Sequence, residues 1–409
     1  MRDGWTYQSL DALVELEWVE LGRGKVISKL DLAQTPGTYP VYSSAKEADG
    51  KFGEYGLYMF DEELITWSVD GGGHLFHRPK HRFSVTNVGG TLRILRREKL
   101  DYRFLYYMLS YVQSTIPFDW VLKAHPSVLR RLYTHLPVPE LGEQKRVASI
   151  LDEAFAGIAA ATTNAEKNLA NARSLVDVAI EEQLSRISQG QHQKTTVAQL
   201  AEDRKNSIRT GPFGSQLLHG EFVDEGIAVL GIDNVVQNQF RWDKRRYITA
   251  EKFQELTRYR VFPGDVLISI MGTCGRCAVV PDDIPLAINS KHLCCISVDQ
   301  SLCLPEFLKL YFLHHPMAKN YLEERASGAI MAGLNMGIIK DLPVLLPSVN
   351  EQAEIVMTCD KLSRGLSDLT VLYSRKRAHL AELKQAILRQ AFSGELTALP
   401  GAEMQDEAA

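Results

Sequence analysis

The chain has no cysteine before Cys274, and all six of its cysteines lie between positions 274 and 359. A disulfide framework that braces the whole chain is therefore excluded, and we expect reduced thiols. No apolar run approaches the roughly 18 residues that a membrane span needs, and the first residues contain no apolar signal-peptide segment. These absences predict a cytoplasmic protein with no membrane partner.

Basic charge is not in excess either. The 46 lysines and arginines stand against 50 acidic residues, which gives a net charge of −4 and an isoelectric point near 6.3. This balance excludes a uniformly basic surface for nucleic acid but leaves room for local basic patches. Hydrophobic residues make up 45% and charged residues 23%, which is typical of a globular protein. The length predicts two or three domains of about 150 residues each.

Sequence signatures of catalysis and metal binding are also missing. The chain has no Asn-Pro-Pro-aromatic motif and no Gly-x4-Gly-Lys-Ser/Thr loop, and no acid-x-Lys pair follows Pro281-Asp282-Asp283. Cys274 and Cys277 have the spacing of one half of a zinc site. The other half would be Cys294 and Cys295, but adjacent cysteines cannot easily both reach one tetrahedral ion. We therefore predict a non-catalytic chain without a metal site, whose cysteines act as small buried apolar residues.

What the chain does have is an internal repeat. Pro139-Glu140-Leu141-Gly142-Glu143-Gln144 and Pro347-Ser348-Val349-Asn350-Glu351-Gln352 follow a Leu-Pro-Val sequence, and their Glu-Gln pairs lie 208 residues apart. Upstream, both copies contain a strand-like apolar run, a glycine-rich turn, an asparagine and an aromatic helix. These segments are 64–66 and 266–268, 71–73 and 272–275, Asn87 and Asn289, and 104–105 and 307–308. We interpret Asn87 and Asn289 as equivalent turn-forming residues.

A long helical stretch follows each Glu-Gln pair. Apolar residues recur there at three-four spacing, with Leu175 among them in the first copy and Leu383 in the second. About 40 residues predict a rod of roughly 60 Å in each case. We expect the two rods to pair through their apolar seams as an antiparallel coiled coil; the alternative is that each folds back on its own globular domain. The second helix should end at Ser393-Gly394.

The order and doubling of these segments resemble the specificity subunit of Type I restriction-modification systems. The second helix closes on Ala391-Phe392-Ser393-Gly394-Glu395-Leu396, and Gly37-Thr38-Tyr39-Pro40-Val41-Tyr42-Ser43-Ser44 resembles the opening of one variety of target-recognition domain. Gly211-Pro212-Phe213-Gly214-Ser215 with Gly231-Ile232-Asp233-Asn234 resembles another. The resemblance covers essentially the whole chain. It departs from the pattern in the second glycine-rich turn, where cysteines occupy positions that are commonly aliphatic.

The resemblance implies an α+β protein with two globular target-recognition domains, each with a bent, largely antiparallel sheet. Two long helices that form an antiparallel coiled coil separate these domains, in an internal pseudo-two-fold repeat. The expected boundaries are 1–139 for the first recognition domain, 140–190 for the first spacer helix, 191–346 for the second recognition domain, 347–398 for the second spacer helix and 399–409 for a frayed tail.

The resemblance also implies partners. Each recognition domain is expected to read one half of a split target in double-stranded DNA. Two modification subunits are expected to carry S-adenosylmethionine, and restriction subunits with motor and nuclease activity are expected to use ATP and Mg²⁺. This chain itself is expected to bind no cofactor.

Basic residues concentrate in one stretch of each predicted recognition domain. Residues 74–100 carry seven basic side chains against one acid, and residues 240–260 carry seven against three. Such segments bind phosphates, although a basic run can equally be a solvated face. Polar loop residues could reach base edges. The predicted DNA contacts are Ser43, Ser44, Lys46, His77, Lys80, Arg82, Lys123, His125, Gln216, Asn234, Gln237, Arg241, Lys244, Arg245, Arg246, Arg276, Lys291 and His292.

The repeated Glu-Gln pairs have two interpretations. Glu143 and Gln144, like Glu351 and Gln352, either form the start of a helix or dock the two modification subunits. Two other functions for the whole chain also stay open. One is a coiled-coil scaffold, and the other is the DNA-binding subunit of a different multi-subunit DNA methyltransferase without a restriction partner.

Overall fold

The structure is a computed structural model of the 409-residue chain, and it describes residues 5–44, 48–70, 72–116, 118, 122–242, 245–326 and 334–397. The chain divides into two compact units. Unit 1 comprises Met1–Ala165 and Ser374–Ala409, and unit 2 comprises Glu166–Tyr373. Each unit therefore contains a globular part and one segment from each of the two long helices.

The first half of the chain contains eight strands and five α-helices among its described residues. They are β1 (Thr6–Gln8), α1 (Leu10–Glu15), β2 (Val19–Arg23), α2 (Lys29–Gln34), β3 (Tyr39–Tyr42), β4 (Lys51–Tyr55), β5 (Phe60–Ser68), β6 (Leu75–Val85), β7 (Gly89–Ile94), α3 (Tyr102–Gln113), α4 (Pro126–Leu132), β8 (Leu136–Val138) and α5 (Leu141–Ser185).

Unit 1 is built on a six-stranded sheet with the order β2-β7-β5-β6-β3-β4. Its described pairings are antiparallel apart from β3 with β6. A bulge between Glu62 and Leu64 bends the β5–β6 hairpin, and Thr86, just after β6, bridges to Lys25, just after β2. Strands β1 and β8 form a separate antiparallel pair. The predicted bent, largely antiparallel sheet is confirmed.

The second half contains shorter strands. Its elements are β9 (Gln193–Thr196), α6 (Val197–Leu200), β10 (Ile208–Thr210), β11 (Ile227–Leu230), β12 (Val235–Val236), β13 (Gln239–Phe240), β14 (Tyr247–Ile248), α7 (Ala250–Glu255), β15 (Arg260–Val261), β16 (Val266–Ser269), β17 (Cys277–Val279), β18 (Ala287–Asn289), β19 (Leu293–Ile296), α8 (Pro305–His314), α9 (Pro316–Ala326), α10 (Met336–Lys340), β20 (Pro343–Leu346) and α11 (Val349–Ser393).

The repeat in the sequence is also a repeat of strand order. The order β2-β7-β5-β6 of unit 1 corresponds to β10-β19-β16-β17 of unit 2, and the pair β1–β8 corresponds to β9–β20. The long hairpin β5–β6 corresponds to two shorter pairs, β16 with β17 and β15 with β18. The parallel pair β3–β6 recurs as β11–β18. Both units therefore follow one plan.

The strand pairing corrects one equivalence drawn from the sequence. In unit 2, Leu230 pairs with Asn289. In unit 1 the corresponding pair is Tyr42 with Val85, so Asn289 corresponds to Val85 and not to Asn87. Asn289 is a fully buried residue at the end of β18, and its amide donates to the carbonyl of Leu293 at 3.0 Å, across the turn 290–292. It therefore closes this turn, although it is not equivalent to Asn87.

The two long helices pair in both units. In unit 1 the first turns of α5 pack against the last turns of α11, where Leu151 shares a core with Phe392. In unit 2 the last turns of α5 pack against the first turns of α11, where Leu184 shares a core with Cys359. In both units the start of one long helix therefore packs against the end of the other, and the predicted antiparallel pairing is confirmed. The alternative, in which each helix folds back on its own domain instead of pairing, is wrong.

The second long helix ends where the sequence predicts, but the apolar seam differs from the prediction in places. Helix α11 ends at Ser393, and Gly394 follows with a φ of 83°, the left-handed conformation typical of a helix stop. Leu175 is 69% exposed and Leu383 is 48% exposed, whereas Ile180 is buried. The predicted seam is out of phase at these two leucines, because alanines at neighbouring positions fit either phase. Among the described helices, none combines the length and apolarity that crossing a bilayer requires.

Candidate nucleic-acid interface

Loops of unit 2 meet at one edge of its sheets. Because β11 and β18 run parallel, the segments after Leu230 and Asn289 leave at the same edge, and the N–H of Ser290 donates to the carbonyl of Leu230 at 2.8 Å. The N–H of Ile270 donates to the carbonyl of His292 at 2.9 Å. This bond brings the glycine-rich turn to the same place.

A fourth loop approaches this edge through Gly211. A Cβ at Gly211 would overlap the carbonyl oxygen of Asn289, so a residue with a side chain could not lie this close. We call residues 211–216, 231–234, 270–276 and 290–292 the unit 2 edge.

Arg246 extends over the unit 2 edge. Its Nη1 lies 2.7 Å from the position that a Cβ of Gly231 would occupy, and its Nη2 donates to Oδ2 of Asp233 at 2.5 Å. The Arg246 side chain is still 43% exposed. Burial lowers the pKa of His292 on the adjacent loop, and the positive charges of Lys291 and Arg246 lower it further. His292 is therefore neutral at pH 7, while Arg246 and Lys291 supply positive charge.

Asn234, which the sequence predicts to contact DNA, instead forms hydrogen bonds within its own turn. It is 2% exposed, its Oδ1 accepts from the N–H of Gly231 at 2.9 Å, and its amide donates to the carbonyl of Arg241 at 2.8 Å. A side chain committed in this way holds the turn and cannot reach a base edge. This corrects the prediction for Asn234.

The other predicted contacts of unit 2 divide into two groups. Gln216, Arg276, Lys291 and His292 belong to the unit 2 edge, together with Arg246 above it. Gln237 lies in the β12–β13 turn with a φ of 53° and accepts from Nη2 of Arg241 at 3.3 Å. The guanidinium of Arg245 lies 5.6 Å from the ring centroid of Trp242. Lys244 lies outside the described residues.

Unit 1 has the same edge, built by corresponding backbone bonds. The N–H of Thr86 donates to the carbonyl of Tyr42 at 2.8 Å, and the N–H of Val69 donates to the carbonyl of Val88 at 2.9 Å. A Cβ at Gly24 would overlap the carbonyl oxygen of Val85, the last residue of β6, just as a Cβ at Gly211 would overlap that of Asn289, the last residue of β18. We call residues 24–28, 43–44, 69–70, 72–74, 86–88 and 122–125 the unit 1 edge.

Four predicted contacts lie at the unit 1 edge, namely Ser43, Ser44, Lys123 and His125. The hydroxyl of Ser43 accepts from the hydroxyl of Thr86 at 2.9 Å, and Lys123 forms an ion pair with Asp70 at 3.2 Å. Lys46 lies outside the described residues. His77, Lys80 and Arg82 lie within β6 and not in the edge loops.

Carboxylates on neighbouring elements neutralise much of the basic segment of unit 1. Arg78 is 1% exposed and pairs with Asp49. The remaining ion pairs of this segment are Arg82 with Asp61, Arg93 with Glu62 and Glu20, and Arg97 with Glu63. His77 forms a hydrogen bond with Glu63 at 2.9 Å. Residues 74–100 are therefore less positively charged in the folded protein than their own count of seven bases and one acid indicates, and phosphate binding by this segment stays a prediction. A count within one segment omits the acids that the fold brings from β2 and β5.

Sequence reasoning missed several exposed residues at these edges. Arg23 is exposed at the end of β2, where its guanidinium donates to the carbonyl of Asn87. At the unit 2 edge, Phe213 is 46% exposed, and Ile232 and Met271 are each 37% exposed. The signal was present in the sequence, since each of these apolar residues stands beside a glycine of a turn.

Gln144 and Gln352 are both fully buried and make the same three hydrogen bonds. Gln144 accepts from the N–H of Asp101 at 2.9 Å, and its amide donates to the carbonyls of Lys99 and Pro139, each at 2.8 Å. The corresponding partners of Gln352 are Leu304 at 2.8 Å, Leu302 at 2.9 Å and Pro347 at 2.9 Å. The glutamines therefore join each long helix to the start of an aromatic helix, and docking is wrong as their role.

The two glutamates of these pairs also hold local structure. Oε2 of Glu351 accepts from the N–H of Ser348 at 2.9 Å, and the N–H of Glu351 donates to the Ser348 hydroxyl at 3.4 Å. This is a capping box, and the bonds to Ser348 lower the pKa of Glu351. Glu143 instead accepts from the hydroxyl of Thr397, after α11. For these residues docking stays a prediction.

The cysteines do not converge on a metal site. Cys277 and Cys294 both pair with Ile268 from opposite sides of β16, so two strand spacings, about 9 to 10 Å, separate them. Burial raises the pKa of both thiols to about 12. The described part of the chain contains no group of three His, Cys, Asp or Glu side chains that could hold a metal. Five of the six cysteines are buried free thiols, as small apolar residues would be.

The protein repeats one α+β plan, pairs two long helices antiparallel and forms one loop edge in each unit. These features define a class of protein with two unlike recognition surfaces. Residues 3–170 and 224–371 match the family described as Type I restriction modification DNA specificity domain. The chain belongs to this family. It is a Type I restriction-modification specificity subunit that recognises a DNA target, and the resemblance seen in the sequence is confirmed.

Individual proteins agree with this assignment. The chain is 26% identical over 330 residues to the Type I restriction enzyme EcoBI specificity subunit of Escherichia coli, which covers 76% of this chain and 69% of that protein. Its fold is similar to a chain from a study of complex assembly and conformational transition of the type I R-M system. The TM-score is 0.71 at 16% identity, and the match covers 97% of this chain and 99% of that chain. The HsdS subunit from Thermoanaerobacter tengcongensis has a TM-score of 0.53 at 15% identity over 97% and 98%. The predicted fold class is confirmed.

Proposed function

We propose that the chain reads an asymmetric, bipartite DNA target with one half-site at each edge. The observation that carries this proposal is that corresponding backbone hydrogen bonds build both edges, whereas the side chains at the two edges differ. Ser43, Ser44 and Lys123 stand at the unit 1 edge, whereas Arg246 and Lys291 stand at the unit 2 edge. Base edges are distinguished by the donors and acceptors that face them. Unlike side chains on one frame should therefore select unlike half-sites.

The chain performs no chemistry in this proposal. The relative from Escherichia coli is named as the specificity subunit of a restriction enzyme, and the structural relative comes from a study of complex assembly. We assign methyl transfer from S-adenosylmethionine to two modification subunits, and the use of ATP and Mg²⁺ to restriction subunits. Such a complex acts on DNA in the cytoplasm, and this chain then binds no cofactor.

The long helices offer surface for these subunits. Exposed apolar side chains occur along both, and they include Leu175 and Val178 on α5 and Met357 and Leu372 on α11. Exposed apolar residues in such number favour protein–protein contact. The alternative function, a scaffold that does not recognise DNA, would account for the helices but would not explain the two edges.

Methylation mapping tests the proposal. The chain is co-purified with the methyltransferase encoded next to it, and methylated adenines are mapped on genomic DNA. The expected result is one motif of two unlike half-sites separated by a fixed unread gap. A palindromic motif, methylation without a motif, or methyl transfer by the isolated chain would contradict the proposal.

A further inference from the structure

The geometry of the unit 2 edge points to a base-reading site. We propose that Arg246 and Asp233 together read one G·C base pair of the second half-site from the major groove. This inference rests on the proposed function and specifies a base pair that the proposed function leaves open.

The donors and acceptors of the two side chains match such a pair. Arginine has five N–H donors in a planar fork, and Asp233 occupies one of them at Nη2. Guanine presents two acceptors in the major groove, O6 and N7, and arginine binds both at once. The cytosine of the same pair presents an amino group, which a carboxylate accepts. Asp233 retains lone pairs for that bond, so one ion pair can contact both bases.

The surroundings of Arg246 favour a base over a phosphate. A carboxylate 2.5 Å from the guanidinium repels a phosphate brought to the same atoms. The exposed side chains of the unit 2 edge include Ile232, which stands between Gly231 and Asp233, and also Phe213 and Met271. Apolar side chains suit base edges and thymine methyl groups, whereas phosphate sites are built from polar donors.

The guanidinium is also held in place before DNA arrives. Asp233 fixes Nη2, and the missing side chain at Gly231 leaves the space that Nη1 approaches. Ordering a long, flexible side chain on binding reduces affinity, and prior placement removes part of that loss. Lys291 is exposed on the adjacent loop and can contact a flanking phosphate.

Arg245 provides a matched control. It is the neighbour of Arg246 in sequence, it is exposed, and its guanidinium lies against Trp242. Within the described ranges it forms no ion pair with a carboxylate. An exposed arginine of this kind is suited to a phosphate, so its loss should weaken binding to all sequences alike.

The test uses the full complex with its modification subunits and a target defined by methylation mapping. Each guanine of the second half-site is replaced in turn by 7-deazaguanine, which lacks the N7 acceptor. We expect one replacement to lower the affinity of the wild-type complex on the order of tenfold to a hundredfold. In R246A the same replacement should have no further effect, and D233A should lose discrimination at the same base pair. R245A should lower affinity uniformly and reduce the salt dependence by about one phosphate contact.

Several outcomes would overturn the inference. These are a second half-site without guanine, a wild-type complex that tolerates the analogue at every guanine, and a uniform loss in R246A that equals the loss in R245A. The last outcome would make Arg246 a phosphate contact. The wild-type measurement does not depend on the folding of any variant. Failure of the proposed function is a separate result, because the wild-type complex would then show no sequence-specific methylation at all.

Discussion

The carboxamide oxygen of Gln144 accepts a hydrogen bond from the backbone N–H of Asp101 at 2.9 Å. Through its amide, the same side chain also satisfies two backbone carbonyls. One buried side chain thus fixes the start of α5 to the start of α3, and Gln352 fixes α11 to α8 in the same way. The repeated Gln is explained by backbone groups that would otherwise be buried without partners.

Substitution of either glutamine should destabilise its unit. Q144L or Q352L removes three hydrogen bonds and leaves buried backbone groups unpaired, which should lower the free energy of unfolding by about 2 to 4 kcal/mol. Urea denaturation of each variant measures the change. The control E351A, at an exposed cap, should lose only about 1 kcal/mol. An unchanged unfolding free energy in Q144L and Q352L would contradict this role.

Arg78 should position the unit 1 edge without touching DNA. Its Nη2 donates to the carbonyl of Asp49 at 2.7 Å, and its guanidinium lies 3.6 Å from the ring centroid of Tyr42. Tyr42 directly precedes Ser43, so R78A should lower discrimination at the first half-site and leave the second half-site unchanged. R78A should also lower the free energy of unfolding by about 1 to 3 kcal/mol, because it leaves the buried hydroxyl of Thr66 without the guanidinium that donates to it. Methylation mapping and denaturation measure the two effects.

Arg209 is the matched control for Arg78. Both guanidinium groups are buried, although Asp265, the partner of Arg209 at 2.5 Å, is buried as well, whereas Asp49 is 70% exposed. The other hydrogen bonds of Arg209 go largely to backbone carbonyls, such as that of Arg260. R209A should therefore destabilise unit 2 and leave the first half-site unchanged. If R78A and R209A gave the same motif, Arg78 would be a stabilising residue only.

Gly231 should matter for recognition and little for stability. A methyl group at this position would lie 2.7 Å from Nη1 of Arg246, and a flexible side chain can move away from it. G231A should therefore change the free energy of unfolding by less than about 0.5 kcal/mol and reduce discrimination at the second half-site. In the control G142A the new methyl group meets nothing within 4 Å, and the motif should stay unchanged. Binding of duplexes that carry single base changes distinguishes the two variants.

The length of the helices should set the gap between half-sites. Insertion of four residues between Ala165 and Glu166 and between Tyr373 and Ser374, where the units divide, lengthens each helix by about 6 Å. That is about two steps of DNA at 3.4 Å each. Mapping should therefore show the same two half-sites with a gap about two base pairs longer. An altered half-site, or an unchanged gap, would contradict the idea that the helices measure distance.

Unit 2 should lose stability as the pH falls below about 6.5. His315 is fully buried, its ring stacks on Tyr311, and its Nδ1 accepts from the N–H of Met317 at 3.1 Å, which requires a neutral ring. Burial lowers the pKa of His315 to about 4. The unfolded state therefore binds more protons than the folded state between these pH values. The stabilisation is fully present above about pH 6.5 and is lost as the pH falls towards 4, by up to about 3 kcal/mol.

A variant isolates this contribution. H315N keeps an acceptor for the N–H of Met317 and removes the titrating ring. Its free energy of unfolding, measured from urea denaturation at several pH values, should fall less between pH 6.5 and about 4.5 than that of the wild type. Parallel pH profiles would show that His315 does not carry the effect.

Much of the fold followed from local signals. The repeat, the helix starts near Glu143 and Glu351 and the glycine stop at Gly394 are carried by neighbouring residues, and each agrees with the structure. The phase of the helical seam at Leu175 was not determined, because alanine fits both the buried and the half-exposed positions of a helix. The equivalence of Asn87 and Asn289 failed because loop insertions shift an alignment that only strand pairing can fix.

The candidate site was predicted less well, because it depends on contacts between distant segments. Arg78 and Arg82 look alike in the sequence, yet one is buried against Asp49 and the other is half exposed beside Asp61. The partner of Arg246 is 13 residues away, beyond the reach of a charge count within one segment. Glycines such as Gly211 and Gly231 were visible, but the backbone and guanidinium that approach them were not.

Because both long helices are divided between the units, the order of synthesis along the chain affects when each unit can fold. Unit 1 contains residues from the start of the chain and from Ser374 onwards, and its core includes Leu388 and Phe392. A ribosome delivers the N-terminal part first, so the core of this unit stays incomplete until α11 has been synthesised. A message truncated before α11 would yield two incomplete units, not one finished half. A substitution in α11 that weakens its packing should therefore also impair the folding of the N-terminal recognition domain.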